Sequence, residues 1–139
     1  MRFFLLILIM YVFTNVNSQT KTILKPHSSQ LKTLKDFSET LKKASKNSTV
    51  LFLGDNIYPK GMPKKGEESR AFAEHQLIVQ TNAVKDFKGE TIFIPGNHDW
   101  YSGGLKGLKR QENFIEDILG KNTFIPENGC PIEKVDISD

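Results

Sequence analysis

Two short segments of the sequence concentrate the side chains that could do chemistry. Residues 54–58 read GDNIY and residues 96–100 read GNHDW, and each segment directly follows an apolar run. A carboxylate after a glycine can approach a ligand closely, so Asp55 could be a metal ligand or a general acid or base. It could equally be the cap of a turn, because Asp and Asn favour turns.

The second segment offers three kinds of polar group. Asn97 has a side-chain oxygen, His98 has a titratable nitrogen, and Asp99 could orient the imidazole of His98 and raise its pKa. A single histidine in a loop is more often satisfied by a neighbour than used in chemistry. The complete run from Gly96 to Asp99, placed directly after an apolar stretch, is a much more specific signal.

The elements that must position these segments are two predicted strands. Residues 49–53 (TVLFL) are short, apolar and rich in β-forming residues, which is typical of a strand buried on both faces of a parallel sheet. Residues 91–94 (TIFI) predict a second apolar strand. In open α/β sheets, ligands bind at the carboxyl ends of the strands. The two polar segments lie at those ends, so we expect them to meet.

Helices are predicted on each side of these strands. The apolar spacing predicts helices over residues 31–44, 67–87 and 105–119, and Gly120 is expected to end the last one. Glu67 and Glu68 would lie in the first turn of the second helix, where the helix dipole favours acidic side chains. The order of elements predicts an α/β fold with parallel strands and crossover helices.

Length and composition restrict the possible functions. The chain has 139 residues, enough for one small domain, and its formal net charge of +3 is too slight and too scattered to indicate a nucleic-acid partner. Cys130 is the single cysteine, so an intrachain disulfide and a cysteine-based zinc site are excluded.

The N-terminal residues form a separate segment. Arg2 precedes an apolar run at residues 3–13, which is shorter than the roughly 20 residues that span a bilayer. We interpret residues 1–18 as a signal peptide cleaved before Gln19, with an uncleaved anchor as the alternative. The mature domain would be exported to the periplasm or the extracellular space, without stable membrane association after cleavage.

Together, Gly54-Asp55 and the run from Gly96 to Asp99 resemble the second and third motifs of the calcineurin-like metallophosphoesterase family. The segment 54–58 is similar to the purple acid phosphatase branch, and residues 96–111 are similar to exported bacterial members. The resemblance implies a metallophosphoesterase β-sandwich over residues 19–139, here partial and truncated. It also implies hydrolysis of small phosphate esters at two metal ions, iron paired with iron, zinc or manganese.

The resemblance also implies individual roles. Asp55 would bridge the two metal ions, Asn97 would bind the second one, and Tyr58 would bind the ferric ion as a phenolate. A simple loop aromatic is the equal alternative for Tyr58. His98 would contact a phosphoryl oxygen or protonate the leaving group, with Asp99 holding its ring.

Other ligands of the family have no counterpart in the sequence. A first motif ending in Asp is not found before the first predicted helix, and the C-terminal histidine motifs are missing too. His27 lies in an irregular stretch, and His75 is predicted to lie on the surface. We therefore expect an incomplete site in a fragment, a split copy or an internally deleted copy. The alternative is a non-catalytic exported module derived from that scaffold.

Overall fold

The computed structural model describes residues 28–129 and Lys134, with side chains described from residue 32 onward. Its elements are, in order, α1 (Ser28–Lys42), β1 (Thr49–Leu53), α2 (Arg70–Val84), β2 (Glu90–Ile94) and α3 (Leu105–Leu119). Short 3-10 helices cover His98–Tyr101 and Glu127–Gly129. The predicted α/β class is confirmed, with a parallel sheet and a crossover helix between the two strands.

The two strands end at the same edge of the sheet. They pair in parallel with Thr49 opposite Glu90 and Leu53 opposite Ile94. Phe52 and Phe93 share a register position, and their rings stack with centroids 4.0 Å apart. The backbone of Phe93 bonds to the segment around Phe124 on its other side, which completes its hydrogen bonding.

The prediction that β1 is buried on both faces is wrong. Val50 and Phe52 are buried, Leu51 is half-buried, and Leu53 is 41% exposed. Alternate side chains of a strand point to opposite faces of the sheet. Leu51 and Leu53 therefore share the face that the described residues cover less completely.

A single apolar core joins the strands to the helices. Its buried members are Leu41, Val50, Phe52, Ile57, Met62, Ala73, Leu77, Val84, Phe93, Leu108, Ile115 and Phe124. Helix α3 has the predicted bounds, and Gly120 ends it with a positive φ of 102° and an N–H that donates to the carbonyl of Glu116. That conformation is one that glycine adopts without steric cost.

Helix α2 differs from its prediction. It begins at Arg70, so Glu67 and Glu68 lie before it, and the Glu67 carboxylate instead accepts the backbone N–H of Lys64. Its buried face carries Ala73, Leu77 and Val84 together with two glutamines, whereas Phe72 and Val79 are only half-buried. The apolar pattern predicts a buried face of Phe72, Val79, Ala83 and Phe87, of which only Ala83 is buried, because glutamines occupy part of the face that packs on the core.

Four predictions concern residues outside the part of the chain that the structure describes. They are the signal peptide, the cleavage point before Gln19, and the environments of His27 and Cys130.

His75, predicted to lie on the surface, is half-buried. Its Nε2 is shielded from solvent and has no hydrogen-bond partner among the described residues. Within the described part of the chain, no helix is long and apolar enough to cross a membrane.

Truncation of Phe93 tests the core. Its side chain is fully buried against Phe52, so Phe93→Ala should lower the free energy of unfolding by about 3–5 kcal/mol. Urea unfolding followed by circular dichroism measures this loss. The matched control is Ile78→Ala, which removes an apolar side chain that is 41% exposed and should cost much less. Equal losses in the two variants would contradict the core described above.

Candidate functional site

The end of β1 turns sharply at Gly54 and Asp55. Their φ angles are 94° and 52°, in the left-handed region where Gly is favoured and Asp is among the better-tolerated residues. This turn brings the carboxylate of Asp55 to the end of β2. There its Oδ1 accepts the backbone N–H of His98 at 3.0 Å.

Two glycines make this approach possible. A Cβ added to Gly54 would lie 2.6 Å from the Cα of Gly96, and one added to Gly96 would lie 2.2 Å from Oδ1 of Asp55. Both distances are far below van der Waals contact. The glycine that begins each polar segment is therefore needed for the two strand ends to meet.

The carboxylate of Asp99 binds the two strand ends together. It is fully buried, and its Oδ2 accepts the backbone N–H groups of Gly96 at 2.8 Å and Asn56 at 3.1 Å, while its Oδ1 accepts that of Ile57 at 3.0 Å. Burial raises the pKa of Asp99, and the hydrogen bonds from Gly96, Ile57 and Asn56 oppose that rise. Asp99 is thus a structural acceptor for both polar segments.

The expectation that Asp99 holds the ring of His98 is wrong. Nδ1 of His98 lies 2.8 Å from the carbonyl oxygen of Pro59, whereas Asp99 faces the backbone N–H groups on the buried side. A carbonyl can only accept, so Nδ1 carries the hydrogen of this bond. Residues 98 and 99 begin a tight helical turn, and adjacent side chains there point in different directions.

Two tyrosine rings pack against the imidazole of His98. The ring centroid of Tyr58 lies 4.1 Å from that of the His98 imidazole. The ring centroid of Tyr101 lies 4.9 Å from it, in an edge-to-face arrangement. The hydroxyl of Tyr101 accepts a hydrogen bond of 2.9 Å from Nδ2 of Asn97. The structure therefore brings Asp55, Tyr58, Asn97 and His98 into one region, as the spacing of the two segments predicted.

Two glutamines of α2 support this region, and the sequence analysis missed them. The Gln76 amide accepts the N–H of Tyr58 at 2.9 Å and donates to its carbonyl at 2.8 Å, as a neighbouring strand would. Gln80 donates to the carbonyl of Asn56 at 2.7 Å. A signal did exist, because two glutamines four residues apart interrupt an otherwise apolar helix face.

An arginine of α3 supports the loop that follows. Arg110 donates to the carbonyl oxygen of Met62 through Nε and Nη2, at 3.0 and 2.8 Å, and Nη2 also reaches the carbonyl of Ser102 at 2.6 Å. Arg70 donates to the carbonyl of Pro63 at 2.7 Å. The loop that carries Tyr58 and Pro59 is thereby held on α2 and α3.

The donors at this edge fit part of a two-metal centre. Asp55 provides a carboxylate, Asn97 an amide oxygen and Tyr58 a phenol, which are oxygen ligands suited to iron or manganese. Among the residues that the structure describes, no three His, Cys, Asp or Glu side chains lie together as a metal-binding group. These three donors are of the right chemical kind for such a centre but are too few to complete it.

The family model named calcineurin-like phosphoesterase matches residues 26–133, which include both polar segments and all five elements from α1 to α3. The chain belongs to this family of metal-dependent phosphoesterases. No curated protein and no solved structure shows a significant match. The family match confirms the predicted superfamily.

Replacing Asp99 by Asn tests its structural role. Asn has one acceptor oxygen, so either the N–H of Ile57 or those of Gly96 and Asn56 lose their partner. We expect a loss of about 1–3 kcal/mol in the free energy of unfolding for each buried N–H left unpaired. Denaturant unfolding at pH 7 measures it. Asp117→Asn, the same change at an exposed position of α3, is the control. An equal loss of stability in both variants would contradict the structural role of Asp99.

Proposed function

We propose that this chain hydrolyses small phosphate esters with two metal ions bound at the ends of β1 and β2. The observation that carries the proposal is the contact between Oδ1 of Asp55 and the backbone N–H of His98. This contact holds the carboxylate of Asp55, which we propose as the bridging ligand, beside the segment that carries Asn97 and His98. The family match over residues 26–133 supports the same reaction class.

Each donor has a distinct task in this proposal. Asp55 would bridge the ions and Asn97 would bind one of them through Oδ1, since its Nδ2 already donates to Tyr101. Tyr58 would bind iron, as in the purple acid phosphatase branch, with iron, zinc or manganese as the second metal. When bound, two metal ions supply an activated water and neutralise charge on the phosphoryl oxygens.

His98 is the proton-handling residue of the proposal. Its Nδ1 donates to Pro59, so Nε2 is the nitrogen available for a phosphoryl oxygen or for the leaving group. The carbonyl of Pro59, and not the carboxylate of Asp99, therefore orients the ring. The ring of Tyr58 on one side and that of Tyr101 at its edge restrict the rotation of the imidazole.

We also propose that the protein is exported and that residues 1–18 are its signal peptide. A basic residue followed by an apolar run of signal length supports this location. The mature domain would act in the periplasm or outside the cell on phosphate-ester small molecules. The net charge of +3 offers no support for a nucleic-acid substrate.

A non-catalytic binding module is the second candidate. The incomplete donor set among the described residues favours it, because a structural metal site alone needs about four ligands for each ion. Such a module would retain the strand-end turn held by Asp99 and would bind phosphate or a partner there. Activity measurements with metal-loaded chain separate the two candidates.

Metal stoichiometry is the direct test of the centre. The purified full chain is supplied with iron, zinc and manganese, dialysed and measured by elemental analysis. We expect up to two metals per chain in the wild type and a loss of at least one in Asp55→Asn, because an amide bridges metals poorly. Asp117→Asn is the matched control and should keep its metal. Absence of specific metal in the wild type would contradict the two-metal proposal.

If His98 handles the proton and binds no metal, its replacement should lower activity without changing the metal content. His98→Gln removes the titratable nitrogen but keeps the backbone N–H that Asp55 accepts. We expect hydrolysis of an aryl phosphate to slow by about 10²–10⁴-fold, with unchanged metal content. Steady-state kinetics and elemental analysis on the same samples give both quantities. Full activity in this variant would remove His98 from the mechanism.

A further inference from the structure

Tyr101 stands out because it is exposed yet contacts two residues of the site. Its side chain is 59% exposed, so it contributes little to the apolar core. Its hydroxyl accepts the hydrogen bond from Nδ2 of Asn97, and its ring meets the edge of the His98 imidazole. Both contacts are with residues that the sequence predicts to be functional.

We propose that Tyr101 is a positioning residue, which sets the orientation of the Asn97 amide and of the His98 ring. An asparagine amide has a donating end and an accepting end, and only the oxygen binds metal. With its nitrogen bonded to Tyr101, Asn97 presents its oxygen on the other side. This inference rests on the proposed function for its purpose, although the two contacts themselves do not depend on metal.

The same contact would act on the metal through its ligand. Partners that hold a metal-binding side chain by its other atoms commonly change metal affinity by about 10–100-fold when they are removed. The short 3-10 helix His98–Tyr101 supplies such a partner within one turn of Asn97. The ring edge of Tyr101 adds a second restraint on the imidazole that is independent of its hydroxyl.

The first test needs no metal. In isotope-labelled full chain, Tyr101→Phe keeps the ring but removes the hydroxyl, so the side-chain amide protons of Asn97 should move to values of a free asparagine. The His98 ring protons should change little. Tyr101→Leu should move both sets of signals, and Trp100→Leu, at the exposed neighbouring position, should leave the Asn97 amide unchanged. An Asn97 amide that does not respond to Tyr101→Phe overturns the proposal.

The second test measures coupling through Asn97. Titration with Mn²⁺ should show about 10-fold weaker binding in Tyr101→Phe than in the wild type. In an Asn97→Ala background, Tyr101→Phe should cause no further loss, because the ligand through which it acts is gone. A full further loss in that background overturns the positioning role. If the wild type binds no Mn²⁺, the proposed function fails, and the amide signals of Asn97 alone decide the role of Tyr101.

Discussion

The carboxylate of Asp99 accepts backbone N–H groups from the ends of both strands, and the rest of the site depends on that link. Gly96 follows β2, and Asn56 and Ile57 follow β1. A buried carboxylate carries a large desolvation cost, which its hydrogen bonds must offset. Loss of those bonds would separate Asp55 from the segment that carries Asn97 and His98.

The side chains of α2 and α3 extend this constraint to the loop after β1. Gln76 bonds both backbone polar groups of Tyr58, and Arg110 bonds the carbonyl of Met62. Buried backbone groups in an irregular loop need partners, and here long polar side chains provide them instead of a strand. Tyr58 and the Pro59 carbonyl that orients His98 therefore have defined positions although neither belongs to a helix or strand.

The family relationship and the local geometry carry different information. The match to calcineurin-like phosphoesterases assigns the family, whereas the contacts around residues 55 and 98 show which groups meet at the two strand ends. The different contacts of Asp99 and His98 illustrate this: Asp99 accepts backbone N–H groups, whereas His98 contacts the carbonyl of Pro59. A histidine beside an aspartate in sequence suggested a pair, but one side chain faces the core and the other faces the aromatic rings.

The sequence by itself determined the elements, the α/β class and the two polar segments at neighbouring strand ends, because periodicity, glycines and chain order are local properties. It placed β1 and α3 at their observed bounds. Only the tertiary structure decided the partner of His98, the buried face of α2 and the exposed side of β1. Those features depend on contacts between residues that are distant in the sequence, as between the His98 ring and the Pro59 carbonyl or between the Asp99 carboxylate and the Asn56 backbone. Hydrophobic spacing does not encode the direction of a polar side chain.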